Sequence, residues 1–462
     1  MTMKITQHRW QIGICLLLCL LLGTVIPATN AADVVEIYYW QPSNNGSRID
    51  VMEQLIEQFE DENPNIDIIH NVDIPSTGPL FDDALELALR EGEGPHIVTI
   101  FNGWIPNYAW RGMIIPLPEG SFDPQDIRED YYPIVQSSIY EGRYWALPTA
   151  VRSMALFYNI EHFDAVGLDY PNDDWTWDDF IAAVEVLNDA EDFIDTNEDI
   201  VGFDWVVSGW GHHWLREVLV PQFGGQSFVD LPNESVWGSD AACEAFTFAL
   251  STEARPTSAG EERAFYSDPA ISVGAYFDAG LASMHIDGSF RISNIDTFEF
   301  GVARLPTVGE GGEERSFGSY WAHALTPRVL ANNSASTLEE REATIRFLQF
   351  ITSESAGELW FEFTSELPAL RRTPLSFSSP AQAQQLTPFV ASLDDAYATP
   401  FINEALQRDI IETAYNSVIL DGADPCDALR DVDTEIQELI DDFVEDRERW
   451  ELGTGFSTLG NQ

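Results

Sequence analysis

The chain has 462 residues and a formal net charge of −54 at pH 7, with 77 Asp and Glu against 23 Lys and Arg. A surface this anionic repels nucleic acid and acidic lipid head groups, which argues against both as partners. The length exceeds what one core usually supports and favours two domains or two lobes, and a composition 45% hydrophobic and 12% aromatic is ample to fill large cores.

Residues 1–32 have the three parts of a secretory signal peptide: Lys4 and Arg9, an apolar run over 12–26, and the small-residue end Ala28-Thr29-Asn30-Ala31-Ala32. The run is shorter than the roughly 20 residues of a bilayer-spanning helix, and no second one follows, so a polytopic membrane protein is excluded. The mature chain is expected to start near Asp33, secreted across the cytoplasmic membrane to a periplasmic or cell-surface location. A lipid anchor is disfavoured because Cys15 follows Ile14 and Cys19 follows Leu18, neither of them small. Cys243 and Cys426 then remain, as one disulfide or as two separate buried thiols. Neither arrangement implies a metal site, and no cofactor is expected. The only lysine is Lys4, so the mature chain has arginine as its sole strong cation. Such a charge suggests a salty or acidic exterior, where screening or protonation relieves self-repulsion.

Alternation over 34–40 predicts a strand, followed by the polar loop Gln41-Pro42-Ser43-Asn44-Asn45-Gly46. A helix is expected from Ser47, with the stripe Val51, Met52, Leu55, Ile56 and Phe59, stopped by Asn63-Pro64-Asn65. A strand over 66–72, a helix over 81–90 and an apolar strand over 97–101 follow. Strands alternating with helices at this spacing mean parallel β/α units, whose ligands sit at the carboxyl ends of the strands. Here those are the loops after Trp40 and Phe101. A second β/α region holds a strand over 155–158 and a helix over 178–187 capped by Thr176, with Asp179 completing a capping box. The polar stretches 309–319, 332–337 and 376–385 look like surface loops. The last hundred residues are mostly helical, with core-facing stripes such as Ile410, Ile411 and Ala414, then Leu429, Val432, Ile436 and Ile440.

Five segments occur in an order that resembles a known family. They are Phe59-Glu60-Asp61-Glu62-Asn63-Pro64, Gly94-Pro95-His96-Ile97-Val98, the stretch from Glu141-Gly142-Arg143-Tyr144-Trp145-Ala146-Leu147-Pro148 to Trp175-Thr176-Trp177-Asp178-Asp179-Phe180, Gly280-Leu281-Ala282-Ser283-Met284-His285-Ile286-Asp287-Gly288-Ser289-Phe290 with Gly301-Val302-Ala303-Arg304-Leu305-Pro306, and the helix over 343–350 with Glu366-Leu367-Pro368. The chain thereby resembles the extracellular solute-binding proteins of ABC importers, the family that includes maltose-binding protein. His96 departs from the family's usual Pro-Asp, which bears on a local turn interaction alone. The resemblance implies an α/β, periplasmic-binding-protein-like fold of type II, two lobes with mixed, mostly parallel sheets joined by a hinge. Lobe I would comprise 33–148 and 303–351, and lobe II 149–302 and 352–462. The lobes would close on a sugar or oligosaccharide and deliver it to permease subunits, with the chain acting as a monomer.

Sugars present hydroxyls on their edges and C–H faces on their planes, so their sites combine flat aromatics with carboxylates, amides and arginines. Cores use the same aromatics. Trp40 closes the first strand and faces the inter-lobe crevice if the sheet reading holds. Asn102 and Trp104 lie where the resemblance puts a ligand loop, and Phe290 and Asp287 where it puts a stacking aromatic and a polar contact. Trp210 stands in a segment rich in tryptophan beside His212 and His213, which lack the companions of a zinc set. Trp321 and Arg371 complete the candidates. The loop 195–199 has the oxygen spacing of a calcium loop's beginning, but Ile200 and Val206 replace its glycine and its glutamate.

Two other classes stand beside this reading. A secreted glycoside hydrolase needs two carboxylates at a fixed separation, and 77 acids cannot pick a pair. A polyamine or other cation could be held by Asp287 and aromatics through cation–π contacts. The many stacking platforms favour an oligosaccharide over a monosaccharide.

Overall fold

Ile37 and Tyr39 face inward while Glu36 is exposed, so the alternation read from the sequence forms a strand, β1 (Val35–Trp40). The computed structural model describes residues 34–42, 46–74, 79–190, 193–194, 200–204, 211–226, 234–252, 274–330, 337–399 and 404–453. Val35–Gln462 is one compact unit.

Helix α1 (Gly46–Glu62) buries the expected stripe and also Arg48, which precedes Val51 by three residues on the same face. Strand β2 (Ile66–Asn71), helix α2 (Pro79–Glu91) and β3 (Ile97–Phe101) complete two parallel β/α units, with β1 between β2 and β3. His96 fastens the turn before β3 to β1. Its Nδ1 accepts from the Tyr38 N–H at 3.0 Å, and its own N–H donates to the Tyr38 carbonyl at 2.7 Å.

Next come a hairpin, β4 (Ile139–Tyr140) and β5 (Arg143–Tyr144), and the strands β6 (Ala146–Pro148) and β7 (Ala150–Asn159). The hairpin turns on Glu141 and Gly142, both with positive φ (50° and 75°), a geometry that matches the twist of paired strands. Strand β7 is far longer than the 155–158 expected, and all ten of its residues are buried. Helix α3 (Trp177–Leu187) has the capping box of Thr176 and Asp179. Strand β8 (Val201–Asp204), helix α4 (Asp240–Ser251) and strands β9 (Ala282–Gly288), β10 (Phe300–Ala303), β11 (Ser316–Ser319) and β12 (Trp321–Leu325) follow. The stretch 309–319, expected to be a loop, ends in β11, because Ser316 and Phe317 are drawn inward against β7 and the later strand β14 (Ala396–Tyr397). Helix α5 (Leu338–Ile351) is followed by α6 (Glu354–Thr364), β13 (Leu367–Pro368) and α7 (Pro380–Ser392). The expected loop 376–385 therefore holds the first turns of α7, where Ser379 caps the helix and Pro380 takes a position that needs no N–H. Most of 332–337 lies outside the described residues. Helices α8 (Glu404–Asp421) and α9 (Pro425–Gly453) close the chain.

Two larger sheets result. One runs β2-β1-β3-β12-β6, and the other runs β14-β11-β7-β9-β8, with β10 and β13 also pairing with β7. Both are mixed, and β7 is antiparallel to all four of its partners. The antiparallel share exceeds what β/α alternation implies because β7 is the strand on which each returning segment is laid. The return segment expected from 303 first contributes β11 to the second sheet and enters the first at Trp321. Two crossing segments are tied directly, since the Thr149 hydroxyl donates to the Ile351 carbonyl at 2.6 Å. Two hydrophobic clusters fill the molecule, one that joins the first sheet to one side of the second through residues such as Ile37, Phe347, Val151 and Phe157, and one on the second sheet around Leu156, Trp214 and Phe246. The alternatives left open for cysteine resolve to a disulfide: Cys243 of α4 is bonded to Cys426 of α9, with Cα atoms 5.0 Å apart.

Candidate functional site

Where the two sheets meet, two small cavities share one wall, Arg152 of β7. The first is lined from the first sheet by Gln41 and Pro42 after β1, Thr99 of β3, and Trp321 and His323 of β12. Arg48 of α1, Thr149 and Ala150 at the crossing, Trp360 of α6 and Glu366 close it. The second lies between Arg152, Asp287, Phe290 and Phe317. Each cavity has about 10 Å³, room for one water.

A buried ionic cluster holds the shared wall. Glu366 accepts a forked pair of bonds from Arg48, from Nη2 at 2.6 Å and Nε at 3.2 Å, and a further bond from the Trp360 indole at 2.9 Å. Arg152 Nε stands 3.5 Å from the same carboxylate, and its guanidinium lies 5.6 Å from the Phe290 ring centre. Arg48, Arg152 and Glu366 are 7%, 5% and 4% exposed, so all three charges are desolvated. Burial pushes the Glu366 carboxyl up, but the two arginines and the hydrogen bonds outweigh it and bring it down to about 2. Burial, and then the positive charge of Arg48, pull Arg152 down to about 10. Asp287 is likewise pushed up by burial and brought down to about 2 by Arg291, which binds it at 2.5 Å, by His285 and by the Gly288 N–H.

The floor of the first cavity is a hydrogen-bonded chain. Thr149 spends its proton on Ile351, so its 3.0 Å contact with His323 Nε2 requires that nitrogen to donate. His323 Nδ1 then accepts from the Thr99 hydroxyl at 3.0 Å, and Thr99 accepts from Tyr39 at 2.7 Å. Burial holds His323 neutral, with a pKa down to about 3.

The sequence candidates fall into groups. Trp104 and Trp321 meet edge to face, ring centres 5.7 Å apart, and Phe101 approaches both. Trp321 borders the first cavity, and Trp40 ends β1 next to the lining residues Gln41 and Pro42. Asp287 and Phe290 border the second cavity. Asn102 is buried, its Oδ1 accepting from the Tyr320 N–H at 3.0 Å, so it extends the β3–β12 pairing. Arg371 is engaged elsewhere, with the Tyr131 carbonyl, Asp394 at 3.0 Å and the Tyr132 ring. Trp210 and the loop 195–199 lie outside the described residues. His212 and His213 are buried, and His213 stacks on Phe317 at 4.0 Å.

Sequence reasoning missed Arg48, Arg152, Glu366, Trp360 and His323. The signal was present: Arg48 continues the stripe of Val51, Leu55 and Phe59, and Arg152 stands as a charge in a mostly apolar stretch, Ala150 to Tyr158. A charge at a core position marks a paired or functional group.

Similar architecture occurs in known proteins. The structure of cyclic alpha-maltosyl-1,6-maltose binding protein from Arthrobacter globiformis superposes with a TM-score of 0.68 over 88% of this chain and 99% of that one, at 20% identity. An ABC substrate-binding protein from Listeria monocytogenes in complex with cycloalternan gives a TM-score of 0.69 with the same coverages, at 19% identity. In sequence, a maltotriose-binding protein of Pyrococcus abyssi (strain GE5 / Orsay) is 24% identical over 313 residues, 66% of this chain and 60% of that protein. The match thus spans about three-fifths of that relative's length. The fold is therefore the type II periplasmic-binding-protein-like one, an α/β architecture of two mixed sheets with a crevice between them. The family model of the bacterial extracellular solute-binding proteins matches residues 45–358, more than half of the chain, and the chain belongs to that family.

Proposed function

We propose that this chain captures a sugar or oligosaccharide between its two sheets and delivers it to the permease subunits of an ABC importer, as a binder and not as an enzyme. The observation that carries the proposal is the shared crevice, where Trp321 and Phe290 border the cavities beside two arginines and the carboxylates Glu366 and Asp287, with Trp104 edge to face against Trp321. The names of the relatives, which bind maltotriose, a cyclic maltosyl-maltose and cycloalternan, support a saccharide as the solute.

The lobes follow the sheets. Residues 33–148, with the return through β12 to 351, form one, and β7 to β11 with the C-terminal helices form the other. Cavities with room for a single water favour a crevice that opens to admit solute and closes on it. Trp40, Trp104, Asp287, Phe290 and Trp321 are the proposed contacts, joined by Arg48, Arg152 and Glu366. Asn102 and Arg371 serve structure instead, given their partners. Two arginines at the wall disfavour a polyamine. Export, with residues 1–32 as the signal, is in keeping with an extracellular family, and among the described residues no helix is long and apolar enough to cross a membrane.

Calorimetric titration of the mature chain with mono- and oligosaccharides tests the proposal. Saturable binding weakened at least tenfold by Trp321→Ala supports it, and heat from no saccharide in the panel overturns it.

A further inference from the structure

The hydrogen bonds under the first cavity can carry their protons in one direction only. They start at the crossing, where the Thr149 hydroxyl gives its single proton to the Ile351 carbonyl, a group that can only accept. His323 must therefore donate to Thr149 from Nε2, and its Nδ1 must accept. The nearer hydroxyl, Thr99 at 3.0 Å, fills Nδ1 in preference to Tyr39 at 3.4 Å, and Thr99 in turn accepts the Tyr39 proton at 2.7 Å. Both rings keep these roles, since burial holds His323 neutral and pushes the Tyr39 phenol up, so that it stays protonated.

The series ends at Gln41, which lines the same cavity and is 3% exposed. Its side-chain oxygen stands 3.3 Å from the Tyr39 hydroxyl and 3.1 Å from Nε2 of His70, whose ring is stacked on Tyr39 with centres 5.0 Å apart. With the Tyr39 proton already given to Thr99, the first of these contacts sets two oxygens against each other with no hydrogen between them. The two ends of an amide are alike in shape, and their partners decide which end faces where. With the ends exchanged, the amide nitrogen has two hydrogens for two acceptors, the Tyr39 oxygen and Nε2 of a His70 that burial keeps neutral. Both contacts are then hydrogen bonds, and the carbonyl oxygen is left at the cavity wall with no partner among the described residues. A buried oxygen of this kind is completed by a hydrogen-bond donor.

We infer that Gln41 is a specificity-determining residue of the crevice, held through the hydrogen bonds from Thr149 with its carbonyl oxygen towards the solute, where it accepts the proton of a free sugar hydroxyl. This rests on the saccharide-binding reading above and adds what the first cavity selects: a hydroxyl that can donate, and not an ether, an ester or a carboxylate.

The two histidines report the direction of the amide without any solute. Nitrogen NMR of the mature chain at neutral pH, assigned with His70→Gln and His323→Gln, should find His323 protonated on Nε2 and His70 on Nδ1. Where a variant fails to fold, neutron diffraction of the unaltered chain reads the same protons. His70 protonated on Nε2, or His323 on Nδ1, overturns the inference. Calorimetry then sets maltotriose, cellotriose and mannotriose against their singly fluorinated derivatives, in which fluorine takes the place of a hydroxyl but brings no proton. One fluorinated position should weaken binding at least about tenfold in the unaltered chain and less than about threefold in Gln41→Met, which keeps the length of the side chain without the amide. If Gln41→Met fails to fold, the fluorinated set on the unaltered chain decides. Every fluorinated derivative binding as tightly as its parent overturns the inference and leaves the saccharide reading standing. Heat from no sugar overturns the saccharide reading and the hydroxyl with it, an outcome told apart by histidine protons that stay where expected.

Discussion

Replacing Glu366 by Gln keeps the size of the side chain and removes the one carboxylate between Arg48 and Arg152. All three groups are buried, so the variant leaves two desolvated guanidinium charges facing each other. Breaking a buried ion pair by removing one partner costs about 3–5 kcal/mol. With an unfolding entropy of about 2.1 cal/mol/K per residue over roughly 430 residues, that becomes a fall in Tm of about 3–6 °C. The pH dependence has a definite sign. The folded carboxyl titrates near 2, below its ordinary 4.5, so its stabilisation is complete above pH 4.5 and lost as pH falls towards 2. Differential scanning calorimetry between pH 7 and pH 3 should show Glu366→Gln less stable at pH 7 and the gap narrowing below pH 4.5. An unchanged Tm at pH 7, or a gap that widens on acidification, would refute the reasoning.

Three further outcomes are expected. Burial keeps His96 and His162 neutral with pKa values of about 4, and His323 with one of about 3, so their stabilisation is complete above the ordinary 6.5 and lost as pH falls from there towards 3. Each contributes up to about 1.4 kcal/mol per pH unit, and in high salt Tm should decline steadily below pH 6.5, whereas a flat profile to pH 4 would contradict the burial argument. Reducing the Cys243–Cys426 bond, which closes a separation of 183 residues, should cost about 2–5 kcal/mol, seen as a Tm lower by a few degrees with reductant. Trp321→Ala removes one ring of the edge-to-face pair with Trp104, and tryptophan fluorescence should report at least tenfold weaker saccharide binding with Tm changed by only a few degrees.

Several elements were legible because their signals are local. The stripe of α1, the Asn63-Pro64 stop and the Thr176–Asp179 capping box each depend on a few neighbouring residues, and each forms as read. What escaped is set by partners distant in the chain. Strand β7 read as four residues because Arg152 and Ser153 break its apolar run, and the structure buries both, with Glu366 beside Arg152 and the Phe389 carbonyl accepting from Ser153. Strand β11 was hidden in a polar stretch because its pairing partners lie about 80 and 160 residues away. The site was half visible for the same reason. Aromatics at strand ends announced themselves, but the arginines that join the two cavities gain meaning from Glu366, more than 200 residues beyond Arg152.

The central claim is that a saccharide binds in the crevice between the sheets. Calorimetric titration of the mature chain and of Arg152→Gln/Trp321→Ala with the oligosaccharide panel tests it most directly. The account predicts one saturable site per chain in the unaltered protein and loss of at least a hundredfold in affinity in the doubly substituted protein, with its fold retained by circular dichroism. Binding of equal strength in both proteins would contradict it.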